Sequence, residues 1–218
     1  MDRRQFLASS GFLAALGPTL GFAAPTTPVA STAGAAPLAP TSTNSVSIAQ
    51  TPVLLPGLPP LDHKGNMDIR VRVRSAMTNG AFSSVECAVA PKKMGPAPHA
   101  HKELDELMYV VSGTASVLVG DDVVHIAAGG WHLRPHQIKH TFWNASTEPL
   151  LFFDMYFNQP FEEYLEKIFH ELTPENGYPE GSEKKRAIVA GLTERFGLIR
   201  PPGALAQRQA IMAEYGLT

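Results

Sequence analysis

A single cysteine, Cys87, occurs in the 218 residues. That excludes an intramolecular disulfide framework, a cysteine-based zinc site and a thiolate-held iron–sulfur cluster. Charge is scarce too: 17% of the chain is Asp, Glu, Lys or Arg, against about a quarter in an ordinary globular protein. The balance is also nearly even, with 18 basic and 20 acidic residues and a formal net charge of −2. This excludes the large basic footprint of a nucleic-acid partner or an acidic membrane surface. Any metal chemistry therefore falls to His, Asp and Glu.

The scarcity of charge is concentrated. No charged residue lies between Arg4 and Asp62. Residues 1–23 have a basic start, an apolar middle through Phe12, Leu13, Leu16 and Leu20, and a small-residue end at Gly21-Phe22-Ala23. This describes an export signal rather than a fold element. Arg3-Arg4-Gln5-Phe6-Leu7 resembles the twin-arginine signal of bacteria, a receptor-read address. That resemblance implies the twin-arginine export machinery as a partner and a periplasmic or otherwise exported location. Ser9, Ser10, Gly11, Gly17 and Pro18 make the middle a poor permanent span, so no stable membrane span is expected after processing. Residues 24–60 are rich in Ala, Pro, Thr and Ser. Repeated prolines block helices and sheet ladders, and a tether is expected that becomes ordered near Val53–Leu61 or wraps the domain surface.

From Asp68 to Phe157 the pattern is of short strands. Ile69, Val71 and Val73 alternate with Arg70, Arg72 and Arg74, the mark of a half-exposed strand. Further runs cover 82–89, 107–111, 115–119, 123–126, 131–134, 141–144 and 150–157, mostly separated by Gly or Pro turn signals. Spacing of this kind predicts an all-β sandwich or barrel over 61–158. After Asn158 the period becomes helical. Phe161, Tyr164, Leu165, Ile168, Phe169 and Leu172 share one helix face. A second helix starts at the cap residue Ser182 and ends at Gly197, and a third fits Ala204–Tyr215. This helical extension, 159–218, is expected to pack outside the β domain or against a partner subunit.

Chemistry concentrates in 95–144. His99 and His101 are two apart, so on an extended chain both imidazoles point to one side. Glu106 follows at an odd separation, and a bend over Lys102–Asp105 is needed to aim it the same way. A strand meander can return His140 to the group. Three imidazoles and a carboxylate suit one divalent transition metal: Fe, Mn, Ni, Cu or Zn.

Here the chain resembles the cupin superfamily. The first cupin motif is matched from its first histidine as His99-x-His101-x4-Glu106-x6-Gly113, although the leading glycine is displaced to Gly95. The second is matched by Gly129-x5-Pro135 and His140-x3-Asn144, with Gln137 in place of a glycine. The resemblance implies a jelly-roll barrel with a mononuclear metal held by His99, His101, Glu106 and His140. A glycine at the Gln137 position would serve a positive φ. Cupins include dioxygenases, isomerases, decarboxylases and plain binding proteins, and fold does not choose among them. An octahedral metal with four protein ligands keeps two open positions. The expected function is therefore a dioxygenase-like oxidoreductase acting on a small organic molecule. The alternative is a non-catalytic exported module that binds a metal or a small molecule.

Other residues carry less weight. His132 and Arg134 share a strand face opposite Trp131 and Leu133. That polar face is expected to be outward and solvated. Turned inward, either residue is an accessory candidate for binding an anionic substrate or moving a proton. His136 is placed at the mouth. Met108 and Val110 are expected inward with Glu106, Met155 and Tyr156 in the core, and Cys87 buried. A homodimer is expected, because barrel edges and the apolar helix face need covering.

Overall fold

The computed structural model describes residues 53–218. The expected signal over 1–23 and most of the tether over 24–60 lie outside the described residues.

Among the described residues the strands are β1 (Met67–Val73), β2 (Phe82–Val89), β3 (Lys93–Met94), β4 (Ala100–His101), β5 (Asp105–Ser112), β6 (Thr114–Val119), β7 (Asp122–Ala127), β8 (Trp131–Arg134), β9 (His140–Asn144), β10 (Leu150–Phe157) and β11 (Leu198–Ile199). One antiparallel sheet has the order β1-β2-β10-β5-β8, the other β3-β9-β6-β7, and β11 pairs with β4. Alternation decides which side chains meet between the sheets. Along β10 every second residue is buried, from Leu150 to Tyr156. Val85, Val89, Met108, Val110 and Phe152 of the first sheet face Ala115, Val117 and Ile126 of the second. Met108 and Val110 are inward and Cys87 is buried, as the alternation requires. The last residue of the second motif, Asn144, is fully buried, and its amide donates to the carbonyls of Val89, Ala90 and Glu148. It fastens the end of β9 to the end of β2.

Residues 53–66, ahead of β1, form no helix or strand, yet they are held. Glu86 is buried on the outer sheet face, where Arg70 pairs with it at 2.7 Å. Arg70 also donates to Pro59 O at 2.7 Å and Arg72 to Pro56 O at 2.9 Å. The arginine face of β1 thus carries a proline-rich strap.

After β10 come α1 (Phe161–Glu166), a π-helical continuation (Lys167–Glu171), α2 (Glu183–Arg195) and α3 (Ala204–Tyr215). Ser182 caps α2, its hydroxyl accepting from the Lys185 N–H. The helices dock on their own barrel: Phe161 and Phe196 join the main core, while Ile211 and Leu217 pack with Met94, Leu118 and Trp143. Sequence reading missed β11, which lies within the extension. Among the described residues no helix is long and apolar enough to cross a membrane.

Candidate metal centre

A small local ladder aims the histidines. The backbone N–H of His99 donates to His140 O at 3.0 Å, and that of His140 to His99 O at 2.8 Å. On the far side His101 is opposite Leu198 of β11, and the His101 carbonyl accepts from the Gln137 N–H at 2.7 Å. Gln137 has φ +63°, so the left-handed turn survives the loss of glycine. The predicted bend between β4 and β5 is present over Lys102–Leu104. It is fixed by Asp105, whose carboxylate accepts from the His136 N–H at 2.8 Å. This contact holds the Asp105 carboxyl below its usual range, chiefly through that N–H. His136 is accordingly an exposed partner of Asp105 and is not among the residues lining the cavity described below.

The bend brings Glu106 round to the histidines. One ligand atom from each of His99, His101, Glu106 and His140 lies within 4.8 Å of the others. Glu106 Oε1 is 3.2 Å from His101 Nε2, and Glu106 Oε2 is 2.9 Å from His140 Nε2. His101, Glu106 and His140 are buried, and His99 is partly so.

Tautomers follow from the outer partners. The Nδ1 atoms of His99 and His140 lie 2.9 Å from the carbonyls of Ala97 and Ile138. A carbonyl only accepts, so each Nδ1 carries the hydrogen and each Nε2 keeps a lone pair. Donation of the outer ring N–H in this way is the usual support of a metal-binding imidazole. The Nε2 atoms of His101 and His140 are buried and have no hydrogen-bond partner. Buried polar atoms are normally satisfied. Two unsatisfied nitrogens facing one carboxylate fit a cation bound between them. Burial, then the neighbouring His140, pushes His99 down to about 3, so its imidazole is neutral.

Arg134 corrects the outward reading of its strand face. It is 1% exposed, whereas Trp131 and Leu133 on the other face are 58% and 57% exposed. Cross-strand register places it opposite Glu106, which in turn is opposite Tyr156. Its Nε is 3.1 Å from Glu106 Oε2, and its Nη2 binds both oxygens of Asp154, one at 2.6 Å. Burial raises the Glu106 carboxyl, but Arg134, His140 and His101 together outweigh it and hold the group well below its usual range. Burial dominates at Asp154, pushing it up to about 6 against the pull of Arg134. The Tyr156 hydroxyl donates to Asp154 at 3.3 Å. Two carboxylates thus share one guanidinium, and the surplus negative charge favours a cation at the histidines. His132 is half-buried on the Arg134 face, and its pKa is lowered by burial and then by Arg134. It does not line the cavity.

A cavity of about 130 Å³ opens beside the four residues. The barrel contributes His99, Glu106, Arg134, His140, Phe142 and Asp154 to its wall. The extension contributes Phe161, Tyr164, Leu165, Thr193, Leu198 and Ile199, with Arg200 beside them. Tyr156, buried in the main core as expected, lines it as well. Sequence reading also missed Asp154, although a single acid inside the apolar run Leu150–Phe157 was a usable signal. The extension residues carried no signal, because only the tertiary fold brings them to the site.

Residues 85–156 match the family described as "Cupin domain". The fold is the cupin jelly roll. The match includes all four candidate ligands and leaves β1 and the C-terminal extension outside it. No curated protein sequence matches the chain. Solved structures similar to it include KdgF from a Halomonas species, at 17% identity over 47% of this chain and 88% of that one, TM-score 0.41. The cupin domain of Cnp3 from Schizosaccharomyces pombe is 12% identical over 51% and 76%, TM-score 0.41. The polyketide cyclase RemF from Streptomyces resistomycificus is 19% identical over 43% and 66%, TM-score 0.39.

Proposed function

We propose that the chain is an exported, mononuclear metal-dependent oxidoreductase of dioxygenase type, acting on a small organic molecule. The observation that carries the metal part is the convergence of three imidazoles and Glu106 within 4.8 Å, with two buried Nε2 atoms otherwise unpartnered. A divalent transition metal held there supplies Lewis acidity and, for Fe, Mn or Cu, redox chemistry. The chain's own residues do the rest. Arg134 keeps Glu106 ionised and fixes its orientation. Phe142, Phe161, Tyr164 and Leu198 give the cavity an apolar wall. Asp154 Oδ2, beside the Tyr156 hydroxyl, is placed to hold or pass a proton near neutral pH. Export is supported by the twin-arginine-like start of the chain and by the charge-free stretch that follows it.

The test is oxygen consumption by Fe(II)-, Mn(II)- and Cu(II)-loaded protein with a panel of flavonols and diketones. Uptake with one metal, lost in His101→Ala, is expected. A second reading, a binding module without turnover, draws on one observation: Arg134, Asp154 and Tyr156 are all occupied with one another. Absence of oxygen uptake with every metal would favour it.

A further inference from the structure

The metal-side cavity is small. Sites that bury a small organic ligand usually enclose roughly 300–1,000 Å³, and about 130 Å³ has room for little more than a reacting head group. A second chamber of about 350 Å³ adjoins it. The two share Pro96, Phe142, Asp154, Tyr156, Tyr164 and Leu165 in their walls, so they are neighbours across one layer of side chains. The second chamber takes wall residues from both sheets, with α1 and the π-helical turn as its roof. Its own lining is largely apolar: Met67, Ile69, Cys87, Met94, Ile168 and Phe169. Asn66 and Arg208 are its polar residues away from the metal-side wall. The roof is unusual as well. A π-helical turn is rare and frequent at functional sites, and here Lys167–Glu171 carries two residues, Ile168 and Phe169, that line the chamber.

We infer that the second chamber binds the apolar tail of an elongated ligand whose polar, metal-chelating head lies in the cavity beside His99, Glu106 and His140. Only the placement of the head rests on the proposed metal centre; the chamber stands on its own lining. The ligand class is a molecule with an alkyl or aryl tail on a bidentate oxygen head. Burial of such a tail is favourable in proportion to its apolar area.

The experiment uses the full chain, metal-loaded and metal-stripped, with the fluorescent dye N-phenyl-1-naphthylamine as the tail probe and with catechol and 4-hexylcatechol as competitors. The dye is expected to bind saturably in both states. Ile168→Trp and Met67→Trp fill the chamber from its roof and from β1, and each is expected to weaken dye binding at least tenfold with metal content unchanged. His101→Ala is expected to lose metal and keep the dye. 4-Hexylcatechol is expected to displace the dye at least tenfold more tightly from loaded than from stripped protein, and catechol alone not to displace it. Absence of dye binding to wild type, or wild-type binding by both folded tryptophan variants, overturns the chamber. Equal displacement by 4-hexylcatechol from protein shown by metal analysis to be loaded or stripped overturns its joining to the head site. Dye binding by wild-type protein that retains no metal after loading overturns the metal centre and leaves the chamber standing.

Discussion

Gln137 adopts φ +63° in an exposed turn, with its backbone N–H committed to the His101 carbonyl. A side chain in this region is strained, and glycine is not. Gln137→Gly is therefore expected to raise stability by about 0.5–1 kcal/mol, read as a higher denaturant midpoint without loss of metal. Arg134 presents the opposite case. Removing one member of a buried charge group leaves the others uncompensated, at a cost of about 3–5 kcal/mol. Arg134→Met is expected to lose stability on that scale in the metal-free protein, and Arg134→Met with Asp154→Asn to recover part of it, both measured by denaturant unfolding. His99 fixes a pH dependence. Its imidazole titrates at about 3 when folded and near 6.5 when unfolded. The unfolded chain therefore binds the proton first, and His99 should contribute a loss of about 1.4 kcal/mol per pH unit as pH falls from 6.5 toward 3, offset by the raised Asp154 between about pH 6 and 4. His99→Gln should flatten that slope in a pH series of unfolding curves. The convergence of His99, His101, Glu106 and His140 was legible in the sequence because the motif encodes it as spacings along strands. Arg134 was legible as to face but not as to direction. Alternation says which residues share a side of β8, and only the neighbouring Glu106 and Asp154 decide which side is inward.

At the scale of elements, the barrel strands were legible because apolar and polar residues alternate along runs bounded by Gly and Pro. The helices were legible because their apolar residues recur at helical spacing and Ser182 and Gly216 mark ends. β11 was not. Two residues carry no period, and the strand exists only through its pairing with β4. Gly197 makes that pairing feasible: it has φ +59°, its carbonyl accepts from the Lys102 N–H at 2.9 Å, and a Cβ there would stand 3.0 Å from Lys102 Cβ. Gly197→Ala is expected to cost about 1 kcal/mol or more and to weaken metal binding, since the displaced strand is the one opposite His101. Competition with a chromogenic chelator measures the second effect. Wild-type affinity in Gly197→Ala would show that β4 holds His101 without its partner.

For the whole molecule, removal of His101 or His140 is expected to abolish most metal binding, read by metal analysis of the purified variants. Full retention in both would refute the centre. The dimer expected from the sequence is proposed on the outer face of the five-stranded sheet, where Trp131, Leu133 and Val111 are exposed. Trp131→Ser with Leu133→Ser should convert a dimer to a monomer by light scattering, and a wild-type monomer would refute it. The two-residue strand β4 has a further consequence, for the order of folding. Its partner is β11, and the neighbouring His99 bridges to His140, both far away along the chain. Contacts between distant segments close slowly because chain entropy opposes them. The imidazoles are therefore aimed late, after the hairpins of the barrel have formed. Metal supplied at the start of refolding and metal supplied midway should be captured at the same moment, and that moment should coincide with the docking of Phe196 against Phe161. Metal capture is then a clock for the last step of folding rather than its trigger.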